Sequence, residues 1–403
     1  MANLQLRVLI SPLILLTMFI QSIALALPIG QAIDTVATRL DNEQIKDGIS
    51  AGIWPEEASF TGSIAAGMVS AYKVTCDSAY KSSAELGGSY IVWAAGGNFY
   101  GDEAFCLTRL SDIANDPCNN PWRTAVSDFY YNVKHKIGTE AYISQFVGTG
   151  PSTAVFYLAN HVVAAYHVNA EDKQIWRQGL IDWLAHVDNS SDFPVMAMGV
   201  ATWALAQTGP LDETLIDPCG TGAPYWNSKK LADLPILLLS HQVPSQLYAG
   251  SFYWRFDHSD GGLAQADSGY TEDTIFGTLG LIAAADANPD LDMDAAILAA
   301  RQALLDGVYG GGIVYNHLWL KGTIYYTYAG EMLQVIRELI ALGDLNLDGT
   351  VNFIDFAIFA NQWRSTGCTA CDWCNGADID HSGEVNFADL KILTENWLKG
   401  ASE

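Results

Sequence analysis

Positive charge is scarce in this chain. Among 403 residues, 20 Lys and Arg stand against 45 Asp and Glu, a formal net charge of -25. A surface of that sign repels phosphate backbones, which argues against a nucleic-acid partner. Charge of either sign is limited to 16% of residues while half are hydrophobic, so there is ample apolar surface for a large core. Several catalytic signatures are missing: a Gly-Lys-Ser/Thr phosphate loop, a Gly-x-Ser-x-Gly elbow, a His-Glu-x-x-His pair and a dinucleotide fingerprint. Beyond the first 26 residues no run is long and apolar enough to span a bilayer. There is also little strand-like alternation, and no Pro/Ser/Thr-rich linker.

The N-terminus carries the one long greasy stretch. Arg7 is its positive flank, Val8–Ile23 its apolar run, and Ala24-Leu25-Ala26 a small-x-small cleavage signal. This is read as a secretory signal peptide over residues 1–26, with Pro12 and the Ala-x-Ala arguing against a retained anchor. The mature chain is expected outside the cell or at its surface, or in a periplasm, with no membrane contact after cleavage. Seven cysteines accompany that address: Cys76, Cys106, Cys118, Cys219, and the cluster Cys368, Cys371 and Cys374. Three thiols without a well-spaced histidine do not complete a zinc site, so a disulfide within or from the cluster is expected. The odd count leaves at least one thiol unpaired or bound elsewhere.

The acidity gathers at the C-terminus. From Asp344 onward ten acids face three bases, Arg364, Lys391 and Lys399. In the stretch GDLNLDGTVNFIDF, carboxylates and amides fall at the positions of an EF-hand-type loop, which takes oxygens from positions 1, 3, 5, 7, 9 and 12 and a glycine at 6. Asp344, Asn346, Asp348, Thr350 through its carbonyl, Asn352 and Asp355 fill those positions, with Gly349 at the turn. The pattern returns 34 residues later as Asp378, Asp380, Ser382, Glu384, Asn386 and Asp389, with Gly383 at the turn. Two in-phase loops of oxygen donors require cations, and Ca2+ is the ion such donors suit. A helix is expected after each. Ser382 puts a hydroxyl where the first loop has a carboxylate, so the second site is expected to hold calcium less tightly.

Two loop-helix units ending in Asp at the twelfth position resemble a type I dockerin, from Asp344 to about Lys399. The resemblance implies two calcium sites and docking onto a cohesin-like module in a secreted polysaccharide-degrading assembly. One departure stands out. The two residues before the last ligand, small and polar in well-known bacterial dockerins and in contact with the cohesin, are here Phe353-Ile354 and Phe387-Ala388. Burial against the module's own helices or the preceding domain is expected for them, with atypical partner contacts.

Residues 27–343 show apolar spacing of three and four throughout. Helical stretches are expected over Gly62–Tyr80, Ser83–Ala95, Asp102–Ala114, Trp122–Lys136, 152–168, Glu171–Val187, Phe193–Gln207, Lys229–Leu239, Thr271–Ala285, Asp292–Gly307 and Gly322–Leu342. Ten or more helices with Gly-rich or acidic turns read as a stack of helical hairpins. Small residues in GSIAAGMVSAY, VMAMGVATWALA and TIFGTLGLIAAA allow the close approach an inner ring needs. The expected fold is all-α: an α/α toroid, then, over residues 344–403, the calcium loop-helix pair. In rhythm it resembles six-hairpin glycosidases, polysaccharide lyases and terpenoid cyclases. A superhelical solenoid of helix pairs is the other arrangement.

The densest polar loop is Arg255–Asp273. Glycoside hydrolysis needs one protonated and one ionised carboxylate; Asp260 or Glu272 fits the acid, and Asp257 or Asp267 the base. Elimination from a uronate needs a base beside a neutralising cation, and Tyr270 with His258 fits that pair. Tyr100, Asp102 and Glu103 at a helix start are a second candidate, although helix capping explains Asp102 equally well. His161, in an apolar helix, is expected in the core and His135 at the surface. The segments APYWNSKK and SFYWRFDH are expected to line a groove. The expected function is a carbohydrate-active protein, hydrolysis ahead of elimination, with a non-catalytic scaffold or glycan-binding protein as the other class.

Overall fold

The computed structural model describes residues 28–116, 119–244, 248–259, 269–308, 325–369, 371 and 373–400. Residues 1–26, expected to be a signal peptide, together with Cys118, Asp260 and Asp267, lie outside them. The described residues form fifteen α-helices and one two-stranded ribbon.

Six helices build an inner ring: α2 (Thr61–Thr75), α4 (Gly101–Asp112), α7 (Pro151–His167), α9 (Pro194–Thr208), α11 (Thr271–Ala287) and α13 (Tyr326–Glu338). Each packs on the next and α13 packs back on α2, closing the circle. The outer helices α1 (Ile29–Glu43), α3 (Ser78–Ala95), α5 (Pro121–Lys136), α8 (Lys173–Leu184), α10 (Leu234–Ser240) and α12 (Asp294–Val308) alternate with them along the chain. A short α6 (Thr139–Ile143) bridges α5 and α7. Closure makes this a toroid and not an open solenoid.

Why these sequences take these places follows from their faces. Outer α1 buries one stripe: Ile29, Ala32, Ile33, Val36, Ala37 and Leu40. Inner α2 is buried at every residue from Thr61 to Ala71, and α9 from Pro194 to Leu205. A helix covered all round must let its neighbours' backbones come close. A Cβ on Gly67 would lie 2.2 Å from the carbonyl oxygen of Gly330, and one on Gly280 2.7 Å from that of Gly199. The small-residue stretches are thus the seams of the inner ring.

Two features depart from the sequence reading. The expected helix over Gly62–Tyr80 breaks at Cys76, which adopts a left-handed φ of 60°. Asp77 then caps α3, its side chain accepting from the Ala79 amide at 2.8 Å. Helix α1 also stands outside the expected set, although its apolar spacing is regular.

The ribbon pairs β1 (Phe252–Tyr253) with β2 (Gly269–Tyr270), antiparallel, Phe252 opposite Tyr270. It hands the chain directly into α11.

The C-terminal unit has its own small core of Val351, Phe359, Cys368, Ala377, Val385 and Leu393. Its two helices, α14 (Phe353–Asn361) and α15 (Phe387–Glu395), follow equivalent loops. The repeats clasp each other. Val351 bonds with Lys399 and Leu398 (3.2 and 2.9 Å), and its counterpart Val385 with Arg364 and Ser365 (3.0 and 2.9 Å). The unit lies against the ring. The Gly30 amide donates to the Leu347 carbonyl at 3.1 Å, Arg301 of α12 donates to the Gly349 carbonyl at 2.8 Å, and a disulfide joins Cys76 to Cys371. A second disulfide, Cys368–Cys374, closes the cluster on itself, while Cys106 and Cys219 are free thiols.

Candidate functional site

Successive inner helices run the same way, so their N-termini gather at one end of the ring. Acidic side chains concentrate there, and most have a backbone task. Glu57 accepts from the Tyr326 and Thr327 amides at 3.0 and 2.7 Å, capping α13. Asp273 of α11 accepts from the Met196 amide of α9 at 2.8 Å. Asp102 of α4 lies against Gly62 and the Ser63 backbone at the start of α2. Glu57 and Asp273 thus cap a neighbouring helix, lacing the ring at this end through the otherwise unpaired amides of a helix start, whereas neither carboxylate oxygen of the buried Asp102 has a hydrogen-bond partner among the described residues. Burial and Glu103 push Asp102 up to about 8.

Two further carboxylates stand at this end. Glu331 projects from the second turn of α13 into the ring and is 2% exposed. Its Oε2 atom has no hydrogen-bond partner among the described residues. Burial, Glu272, Asp102 and Glu57 push it well above the usual carboxylate range, and only the Ser63 side chain counters them. Glu272, in the first turn of α11, is half-buried and raised to about 7 by burial; it accepts from the Tyr328 hydroxyl at 3.3 Å. The charge of Glu272 thus disfavours ionisation of Glu331. Around them stand Tyr328 and, beside Asp102 and Glu103, Tyr157 and the exposed Tyr100, whose rings are 5.3 Å apart.

The sequence-derived candidates divide. Glu272 belongs to this group. Tyr270 is buried at the start of α11, its ring 5.3 Å from Trp254, in a positioning place. Asp257 is exposed; Ser259, Asn189 and Arg255 hold it below the usual range, and none of these belongs to the carboxylate group. His258 bonds His241 at 3.1 Å and stacks on Tyr253. Glu331 and Tyr328 were missed; the available signal was a lone acid in the apolar run AGEMLQVI. His161 is fully buried among Phe129, Tyr130 and Trp176, and burial lowers it to about 3, as expected of a core histidine. The two aromatic segments pack on each other: Tyr225 stacks on Phe256 at 4.0 Å, both half-buried, and Trp226 is fully buried.

The tail loops repeat most of each other's bonds. Asp344 accepts from the Asp348 and Gly349 amides (3.1 and 2.8 Å), and Asp378 from Ser382 and Gly383 (2.9 and 2.8 Å). Asp355 accepts from Leu345, Asn346 and Asn352; Asp389 accepts from Asp380 and Asn386. Gly349 and Gly383 sit at φ 97° and 93°, a turn that favours glycine. All four aspartates are buried, and burial with Asp355 pushes Asp344 up to about 6. Asp378, Asp380 and Asp389 each offer an oxygen within 4.8 Å of the others, a span one calcium can bridge with bonds of about 2.4 Å. Hard oxygen donors, converging and buried, fit Ca2+.

Phe353, Ile354 and Phe387 are 78%, 56% and 75% exposed, which corrects the expectation that they are buried. Phe353 abuts Trp397 and Phe387 abuts Trp363, at 5.0 and 4.9 Å, in matching edge-on pairs. Their rings lean on the repeat's other half while their faces stay in solvent. No helix among the described residues is long and apolar enough to cross a membrane.

No curated protein and no solved structure matches the chain. Residues 342–398 match the family described as the dockerin type I domain, and the C-terminal unit of this chain is therefore a type I dockerin, a calcium-binding module that docks to a cohesin.

Proposed function

We propose that this protein is a secreted glycoside hydrolase acting on a neutral polysaccharide, fastened to a cohesin-type partner by its calcium-loaded dockerin. The observation that carries the enzymatic part is the Glu272–Glu331 pair, both raised by burial and Glu331 further by Glu272, at the ring end where tyrosines gather. One carboxyl protonates the glycosidic oxygen while the other, ionised, serves as base or nucleophile. Tyr100, Tyr157 and Tyr328 offer ring faces to sugars. Elimination is the weaker reading. It requires a cation beside the uronate, whereas Glu57, Asp102, Asp273 and the pair make this end acidic enough to repel one. Two disulfides support an oxidising, extracellular address.

The experiment is a polysaccharide panel assayed for reducing ends and unsaturated ends together. Reducing ends from neutral glycans alone are expected. Unsaturated ends would assign a lyase, and binding without cleavage a scaffold.

In the dockerin, Asp344, Asn346, Asp348, Thr350, Asn352 and Asp355 would hold one Ca2+, and Asp378, Asp380, Ser382, Glu384, Asn386 and Asp389 a second. The ion supplies the charge that lets buried carboxylates stay together and fixes α14 and α15. The partner meets Phe353 and Phe387, so its surface is apolar. Phe353→Asp combined with Phe387→Asp is expected to weaken capture of the partner by at least 100-fold, about 3 kcal/mol, with the calcium response retained. Unchanged capture would move the docking surface elsewhere.

A further inference from the structure

The two calcium loops match in their internal bonds but not in their surroundings. In the second, the Gly383 carbonyl accepts from the Gly367 and Cys368 amides at 2.9 and 3.1 Å, within the dockerin. In the first, the equivalent Gly349 carbonyl lies against Gly400 of the dockerin and also accepts from Arg301, a side chain of the ring. The guanidinium crosses directly over the glycine: a Cβ on Gly349 would lie 1.5 Å from Arg301 Nη2. It also faces Asp344 and Asp348, whose negative charge counters the effect of its burial. His381 and Ser382 of the second loop are exposed, and His381 stacks on Trp373 of the dockerin itself.

Ligand chemistry alone does not rank the sites. Each offers three carboxylates at ligand positions, Asp344, Asp348 and Asp355 against Asp378, Asp380 and Asp389. Asp380 replaces Asn346 as Ser382 replaces Asp348, so the loss and the gain cancel. What differs is a fixed cation beside the first loop and a fourth acid, Glu384, in the second.

We infer that Arg301 is a resident counter-charge of the first calcium loop, which makes that loop the weaker site and couples its filling to the packing of the dockerin on the ring. This reverses the order read from Ser382. It rests on the proposal that both loops hold calcium.

The test follows calcium titration of the full chain, disulfides intact, by NMR of the Gly349 and Gly383 amides, which bond Asp344 and Asp378 alike at 2.8 Å. In the unmodified chain Gly383 is expected to titrate first. In Arg301→Gln, which keeps a donor and removes the charge, the Gly349 constant is expected to tighten on the order of tenfold. Gly383 stays fixed, and Arg301→Lys behaves as the unmodified chain. Gly349 responding first in the unmodified chain, or no tightening in Arg301→Gln, would overturn the inference. No response at either amide would instead remove the calcium reading on which it stands. The order in the unmodified chain depends on no variant's folding.

Discussion

Glu331→Gln and Glu272→Gln are each expected to lower kcat/KM on the cleaved polysaccharide by about 10³-fold, the scale of losing a positioned acid or base. The same substitutions should raise the melting temperature at pH 8. Burial puts Glu272 near 7, above its unfolded value, and Glu331 higher than usual too. The folded state therefore holds these protons more tightly than the unfolded chain. Their contribution to stability is greatest below the unfolded carboxylate range and is lost as pH rises through about 7. A neutral amide removes that loss, and a gain of about 2–4 °C at pH 8, vanishing by pH 4, is expected. Activity and stability moving in opposite directions is the mark of a strained functional pair. Asp273→Asn separates the two roles. Burial and Glu272 hold Asp273 well above the usual range too, so its amide should also gain stability at pH 8, but its side-chain oxygen can still accept from the Met196 amide and kcat/KM should stay within about tenfold. If Asp273→Asn abolished cleavage and Glu331→Gln did not, the carboxylate roles assigned here would be exchanged.

That division between capping carboxylates and the proposed acid–base pair explains why the sequence revealed the candidate site only in part. Glu272 and Asp102 each begin a helix, where an acid suits the first turn whatever else it does. Composition cannot tell which acid reaches across to a neighbour's amide and which is left facing its twin. Glu331 lies mid-helix, where no capping role applies, and its place depends on ring closure. Closure itself was legible in outline: the glycines of GSIAAGMVSAY and TIFGTLGLIAAA marked helices that backbones approach closely, and Gly67 and Gly280 do so. The break at Cys76 was not, because a left-handed cysteine carries no local signal; its disulfide partner is 295 residues away. The tail loops were read residue by residue, since their geometry is fixed by a twelve-residue pattern and owes little to distant packing. Exposure of Phe353 and Phe387 was misjudged for the opposite reason. Apolar side chains are ordinarily buried, and only the neighbouring surface decides otherwise.

Calcium removal is expected to produce the largest structural effect. Among the described residues the dockerin's core has six that are buried, too few to hold a module of this size unaided. Calcium at 1 mM acting on a micromolar site contributes about 4 kcal/mol. Without it, Asp344 and Asp355 repel each other in a buried place, as do Asp378 and Asp389. EDTA should therefore melt α14 and α15, read as lost helical circular dichroism and as proteolysis within residues 344–399, and should abolish partner capture. The ring should keep its melting transition, because its core shares no residue with the dockerin's. Chelation alone leaves the melted tail attached through Cys76–Cys371, so nicking between the units releases no fragment until a reductant is added. With calcium present, Gly343, buried against Leu393, should resist cutting. Helical signal and capture that ignore EDTA would mean the acidic oxygens are satisfied by their backbone amides alone, and the docking unit would then be constitutive instead of calcium-gated.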